Sequence, residues 1–159
     1  GAAGSKVRYV RMALRQARKN YDLVICGHIN LLPLAVPLSA CVRAPLALMV
    51  YGIDVWQPPN ARARHWLKKV DAVWSISAIT RDRMNAWAKL ADSKYVLLPN
   101  AIHLERYGPG DKRPDLLERY QLEGSKLIMT LARLPGVERY KGVDEVLEVM
   151  PALLEKDPH

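Results

Sequence analysis

Five short apolar runs limit what this chain can fold into more than any other feature: 22–26 (DLVIC), 46–51 (LALMVY), 71–76 (DAVWSI), 95–98 (YVLL) and 127–132 (LIMTLA). Each has the length of a strand, and most are separated by stretches that can be helical. The runs are almost unbroken, which suits parallel strands covered on both faces better than half-wet antiparallel ones. The expectation is an α/β protein with a βαβα chain path and a parallel sheet. After the fifth run, Val143, Val146, Leu147, Met150, Leu153 and Leu154 recur at helical spacing and predict one amphipathic helix, kinked at Pro151.

The polar stretch between Leu98 and Leu127 holds Pro109, Gly110, Asp111 and Pro114 and is the best candidate boundary between domains. Residues 1–108 then form one domain and 109–159 the start of a second. One strand and one helix cannot bury their own apolar faces, so the second domain reads as truncated. The chain also opens on a helix, so the reading is of a central fragment. With 159 residues, half of them apolar, a real core is within reach.

Charge is unevenly placed. Residues 1–100 carry 15 Lys and Arg against 5 Asp and Glu, whereas 101–159 carry 9 against 11. A basic first half suits polyanions, whether nucleic acid, anionic headgroups or a phosphorylated acceptor. The stretch KVRYVRMALRQARKN has six basic residues, no acid, and Val7, Val10 and Leu14 on one helical face. It reads either as a helix touching an anionic membrane or as a solvated basic helix packed on the sheet; ARARHWLKK adds to the basic surface. No aromatic-basic RNA motif or DNA-reading helix pair is present, so nucleic acid is not the expected partner. The longest apolar run, Leu31 to Val42, is broken by prolines and too short to cross a bilayer. Cys26 and Cys41 lack metal-ligand spacing and read as reduced core residues, with a disulfide between them as the alternative.

The residues that can carry chemistry cluster late. The LIMTLA run leads into Arg133, a loop with Pro135 and Gly136, and then Lys141 and Gly142 at the start of the final helix. Free N–H groups and the positive end of the helix dipole favour an anion there, and the two cations suit a diphosphate. An ordinary basic strand-to-helix loop is the competing reading. His28 follows DLVIC through Gly27, at a strand end where open α/β sheets place ligands; it reads as a ligand contact or as a satisfied loop histidine. Asp54 in YGIDVW is either a cleft residue or a turn-capping carboxylate. Asn100 is expected to stabilise the PNA turn, and Ser77 and Thr80 are helix N-cap candidates. The four tryptophans read as core or interface residues, with sugar stacking an option for Trp56 alone. No metal ligand set is expected, since His28, His65, His103 and His159 are far apart in sequence.

Four segments, in order, resemble the family 4 glycosyltransferases of the GT-B type. LARLPGVERYKGVDEVL is similar to the family's strand, Arg-Leu, loop and Lys-Gly-x-x-x-Leu, with Ala132 where a glycine usually precedes the arginine. LLPNAIHLERYGPG resembles the segment closing the first domain, with Ala101 for Gly and His103 for Asp. MVYGIDVW resembles a His-Gly-x-(Asp/Glu)-Val-Trp segment, with Tyr51 for His, and DAVWSISAITRDRM resembles one that supplies Ser77 and Thr80.

The resemblance implies two Rossmann-like domains facing across a cleft, donor on the second and acceptor on the first. It implies a retaining transferase that moves a sugar from a nucleotide diphosphate to an acceptor hydroxyl, with no metal or other cofactor. Arg133, Lys141 and Gly142 would hold the donor diphosphate, His28 would contact the sugar or acceptor, and Asp54 and Asn100 would line the cleft. The acceptor would be a carbohydrate or lipid-linked glycan, met in the cytoplasm or at the inner face of a membrane. The fragment alone is expected to be inactive. A GT-B-shaped sugar-nucleotide epimerase and a non-catalytic basic module that binds anionic membrane or nucleic acid are the alternatives.

Overall fold

The structure, a computed structural model, describes residues 4–132 and 141–157. The chain divides into two compact units, Gly1–Ile102 and His103–His159. The first unit holds a sheet of four parallel strands: β1 (Val24–Cys26), β2 (Leu46–Val50), β3 (Ala72–Ser75) and β4 (Tyr95–Leu97). Each lies inside one of the first four apolar runs, and they stand side by side in chain order. The helices of this unit are α1 (Lys6–Gln16), α2 (Leu32–Val42), the short α3 (Ile53–Trp56), α4 (Ala61–Leu67) and α5 (Ala78–Ala88). The result is the Rossmann-like α/β layout expected from the sequence.

Strand order and crossover hand together decide where the core sits. Every step from β1 to β4 moves the same way across the sheet, and right-handed crossovers then put all the connecting helices on one face. The row Cys26, Leu48, Val73 and Tyr95 points to that face, where it meets Leu32 and Val36 of α2, Leu67 of α4 and Met84 of α5. The other face carries Ile25, Met49, Trp74 and Val96, and Ile25 and Val96 are 52% and 46% exposed. Coverage on both faces, as the unbroken apolar runs suggest, is therefore not found among the described residues.

Specific polar contacts hold the strand ends. The Asp71 carboxylate accepts from Leu46 N at 2.8 Å, tying the start of β2 to the start of β3. Ser77 caps α5, its Oγ accepting from Thr80 N at 3.2 Å, while the Ser75 hydroxyl donates to Ser77 O at 2.9 Å. At the far end of α5, Asn85 Oδ1 accepts from Leu90 N (2.8 Å) and from the Tyr95 hydroxyl (3.2 Å). The Tyr95 phenol is pushed up to about 12, chiefly by burial and then by the negative charge of Asp92. An unfolded phenol ionises near ~10, so between these limits the folded chain keeps a proton that the unfolded chain has lost. Stability is then full below about pH 10 and falls as the pH rises towards 12. Unfolding titrations followed by circular dichroism should show this alkaline slope, flattened in Tyr95→Phe; an equally steep slope in the variant would assign it to other groups.

The second unit contains α6 (Pro114–Tyr120) and α7 (Val143–Lys156). Gln121 takes a left-handed conformation (φ 54°) after α6, and Leu122 N returns to Leu117 O at 2.9 Å, closing the helix with a Schellman turn. Helix α7 covers the predicted amphipathic segment and runs on through Pro151. The fifth strand expected at 127–132 does not form. Extended backbone needs a neighbour for its N–H and C=O groups, and no strand is present in the described part of this unit. Met129 and Leu131 are 87% and 93% exposed there.

Candidate active-site edge

Because the four strands are parallel, their carboxyl ends share one edge of the sheet. His28 follows β1, Tyr51 to Asp54 follow β2, Ser77 follows β3 and Asn100 follows β4. β1, β2 and β3 each run directly into a turn that starts a helix, and each of these turns is held by its own side chain.

His28 does this after β1. Its Nδ1 accepts from Asn30 N at 3.1 Å and caps the 3-10 turn Ile29–Leu31. An Nδ1 that accepts must be unprotonated, so the neutral ring carries its hydrogen on Nε2. The exposed imidazole therefore presents a donor, suited to a sugar or acceptor oxygen, with no free basic nitrogen. Its carbonyl accepts from the Cys26 thiol at 3.2 Å, and burial raises the Cys26 pKa against that bond. Both cysteines are free, and Cys41 is exposed on α2, so the expectation of two core cysteines is corrected for Cys41. A thiol reagent should modify one cysteine rapidly in the native chain and the second only on unfolding; two fast thiols would contradict the burial of Cys26.

After β2 the backbone turns at Gly52 with φ 136° and ψ −103°, a region open in practice to glycine alone. Asp54 spans this turn, its carboxylate accepting from Tyr51 N at 3.1 and 3.4 Å. It is the turn-capping carboxylate of the two sequence readings. Trp56 closes α3 with the Arg83 guanidinium 4.4 Å from its ring centroid, so one aromatic face is already occupied by a cation. The Trp56 indole N–H is buried and has no hydrogen-bond partner among the described residues. Arg83 was not singled out in the sequence; its helical position in RDRMNAWA carries no signal for stacking on a tryptophan 27 residues earlier.

Asn100 lies exposed and makes no hydrogen bond among the described residues, so it does not hold the turn expected of it. Thr80 is buried three residues into α5 and bonds the capping Ser77, which makes Ser77 alone the N-cap.

In the second unit Gly142 is the N-cap of α7, left-handed at φ 75°, with Lys141 exposed beside it. Among the described residues a Cβ at Gly142 would meet only Glu145 Oε2, at 3.8 Å, so what favours glycine there is its backbone angle. The first turn of α7 carries Asp144 and Glu145, which already answer the positive helix end. Arg133, with the rest of 133–140, lies outside the described residues, so the Arg133 to Gly142 loop is represented by Lys141 and Gly142.

Among the described residues no group of three His, Cys, Asp or Glu side chains is gathered as a metal site would need. No helix there is long and apolar enough to cross a membrane. Compared with known proteins, the chain matches no family model and no curated protein.

Proposed function

We propose that this chain belongs to a retaining, GT-B-type glycosyltransferase that moves a sugar from a nucleotide diphosphate to a hydroxyl of a carbohydrate or lipid-linked acceptor. The observation that carries the reading is the shared carboxyl edge. Three of the four segments that resemble the family fall on the ends of consecutive parallel strands, where α/β sheets take their ligands. On this reading His28 donates through Nε2 to a sugar or acceptor oxygen, which orients the hydroxyl without removing its proton. Asp54 and Gly52 act indirectly, by fixing the turn beside it.

Arg133 and Lys141 would neutralise the diphosphate, including the charge that grows on it as the glycosidic bond breaks. The described part of the second unit has no sheet on which a nucleotide could lie, so the isolated chain is expected to turn over no substrate. The test is calorimetric titration of common sugar nucleotides into the full-length protein. Arg133→Ala and Lys141→Ala should each weaken donor binding about tenfold or more, and unchanged affinity in both would sink the assignment.

A further inference from the structure

We propose that the outer face of the helix layer in the first unit is a docking surface for an anionic lipid bilayer. Helix α2 lies between α1 and α4, in contact with both. Not one Asp or Glu occurs in the three helices. Helix α1 contributes Lys6, Arg8, Arg11 and Arg15, and α4 contributes Arg62 and Arg64 with Lys68 and Lys69 directly after it. All eight are exposed, and none is in an ion pair among the described residues. Between the two cationic flanks α2 shows solvent Pro37, Ala40 and Cys41, small and uncharged.

The layout has a local explanation to overcome. Cations near a helix C-terminus offset its dipole, an effect confined to the last turn. Arg15, Arg64, Lys68 and Lys69 fall there; Lys6, Arg8 and Arg62 lie in the first turns of α1 and α4, where the dipole disfavours them, and Arg11 is mid-helix, beyond its reach. Among the described residues these cations have no ion-pair partner, which is the pattern of a surface meeting negative charge outside the chain.

Helix α1 also has no buried residue, and its Val7 and Met12 stand 70% and 40% exposed among the arginines. Cations interleaved with apolar side chains on an in-plane helix suit headgroups above and acyl chains below. Beside α4 a cavity of about 340 Å³ is lined by Arg64, His65 and Lys68 together with Leu67, Trp87 and Leu90, a mixture of cationic and apolar groups that suits a phosphate headgroup and the start of its apolar stem. A nucleic acid would use the charge but leave the apolar strip unused, so a bilayer is the better fit.

The test uses the whole chain with a polarity-sensitive fluorophore on Cys41, sedimented with vesicles of phosphatidylcholine alone or with phosphatidylglycerol added. The labelled chain should bind only the anionic vesicles, with a blue shift of the fluorophore. Arg8→Glu/Arg11→Glu and Arg64→Glu/Lys68→Glu should each lower affinity at least about tenfold. Should a variant fold poorly by circular dichroism, raised salt on the unmodified chain makes the same test, because a surface held by charge must release as screening grows. Binding that ignores salt and both reversals, binding without the blue shift, or tighter binding to a single-stranded oligonucleotide than to vesicles would each overturn the proposal.

Discussion

Replacing Leu48 with alanine should lower the stability of the first unit by about 4–5 kcal/mol, towards the top of the range for deleting a buried leucine side chain. Leu48 is wholly buried at the centre of β2, paired with Cys26 on one side and Val73 on the other. It stands in the row that faces α2, α4 and α5, so truncation removes apolar area and leaves a void whose walls come from three helices. A central strand held from both sides cannot shift to fill that void without breaking two ladders, which favours the upper part of the range. Against a total stability of about 5–15 kcal/mol for a typical domain, the loss is large.

The measurement is unusually clean. All four tryptophans, Trp56, Trp66, Trp74 and Trp87, belong to the first unit, so fluorescence in a urea titration reports that unit alone. The midpoint should fall with little change in slope. A midpoint within error of the parent would mean that the core row is not where the stability lies.

Gly52→Ala should cost about 1–3 kcal/mol, and the reason is backbone strain rather than crowding. An alanine Cβ there would lie 3.5 Å from the Trp56 ring, an ordinary van der Waals distance, whereas φ 136° is a conformation that L residues rarely adopt. To relieve the strain the turn must move, and with it the Tyr51 N–H held by Asp54. The loss in Gly52→Ala and in Asp54→Ala should therefore be less than additive in the double variant, because both act on one turn. Full additivity, or no loss from Gly52→Ala, would refute the shared turn.

What could be read from the sequence follows a physical dividing line. The first four strands were legible because each is a short apolar run flanked by polar segments, and a buried parallel strand leaves that mark. The Ser77 cap was legible for a similar reason, since the hydroxyl sits just before the helical stretch whose N–H groups it satisfies. LIMTLA has the same local pattern as the other strands but forms none, because a ladder depends on neighbours rather than on composition. The open second face of the sheet was hidden for the same cause: helix placement comes from strand order, which no single segment encodes. At the candidate site, strand ends located His28 and Asp54. The bonds that define their roles, to Asn30 N and to Tyr51 N, are details of turn geometry that residue type alone leaves open. The loss of the Asn100 turn shows the converse, a familiar turn residue with no bond to make.

The bare LIMTLA segment has a consequence for how the chain behaves in solution. Six consecutive uncharged residues without proline or glycine, largely exposed, are a template for intermolecular strand pairing. Lys126 precedes the segment and Arg133 follows it, so like charges would stack wherever two copies align in register. In such a stack the two would act as gatekeepers, Lys126 once it leaves its ion pair with Asp157. Their repulsion is strongest in dilute salt, so the conditions that screen it are those in which the chain should be kept least concentrated.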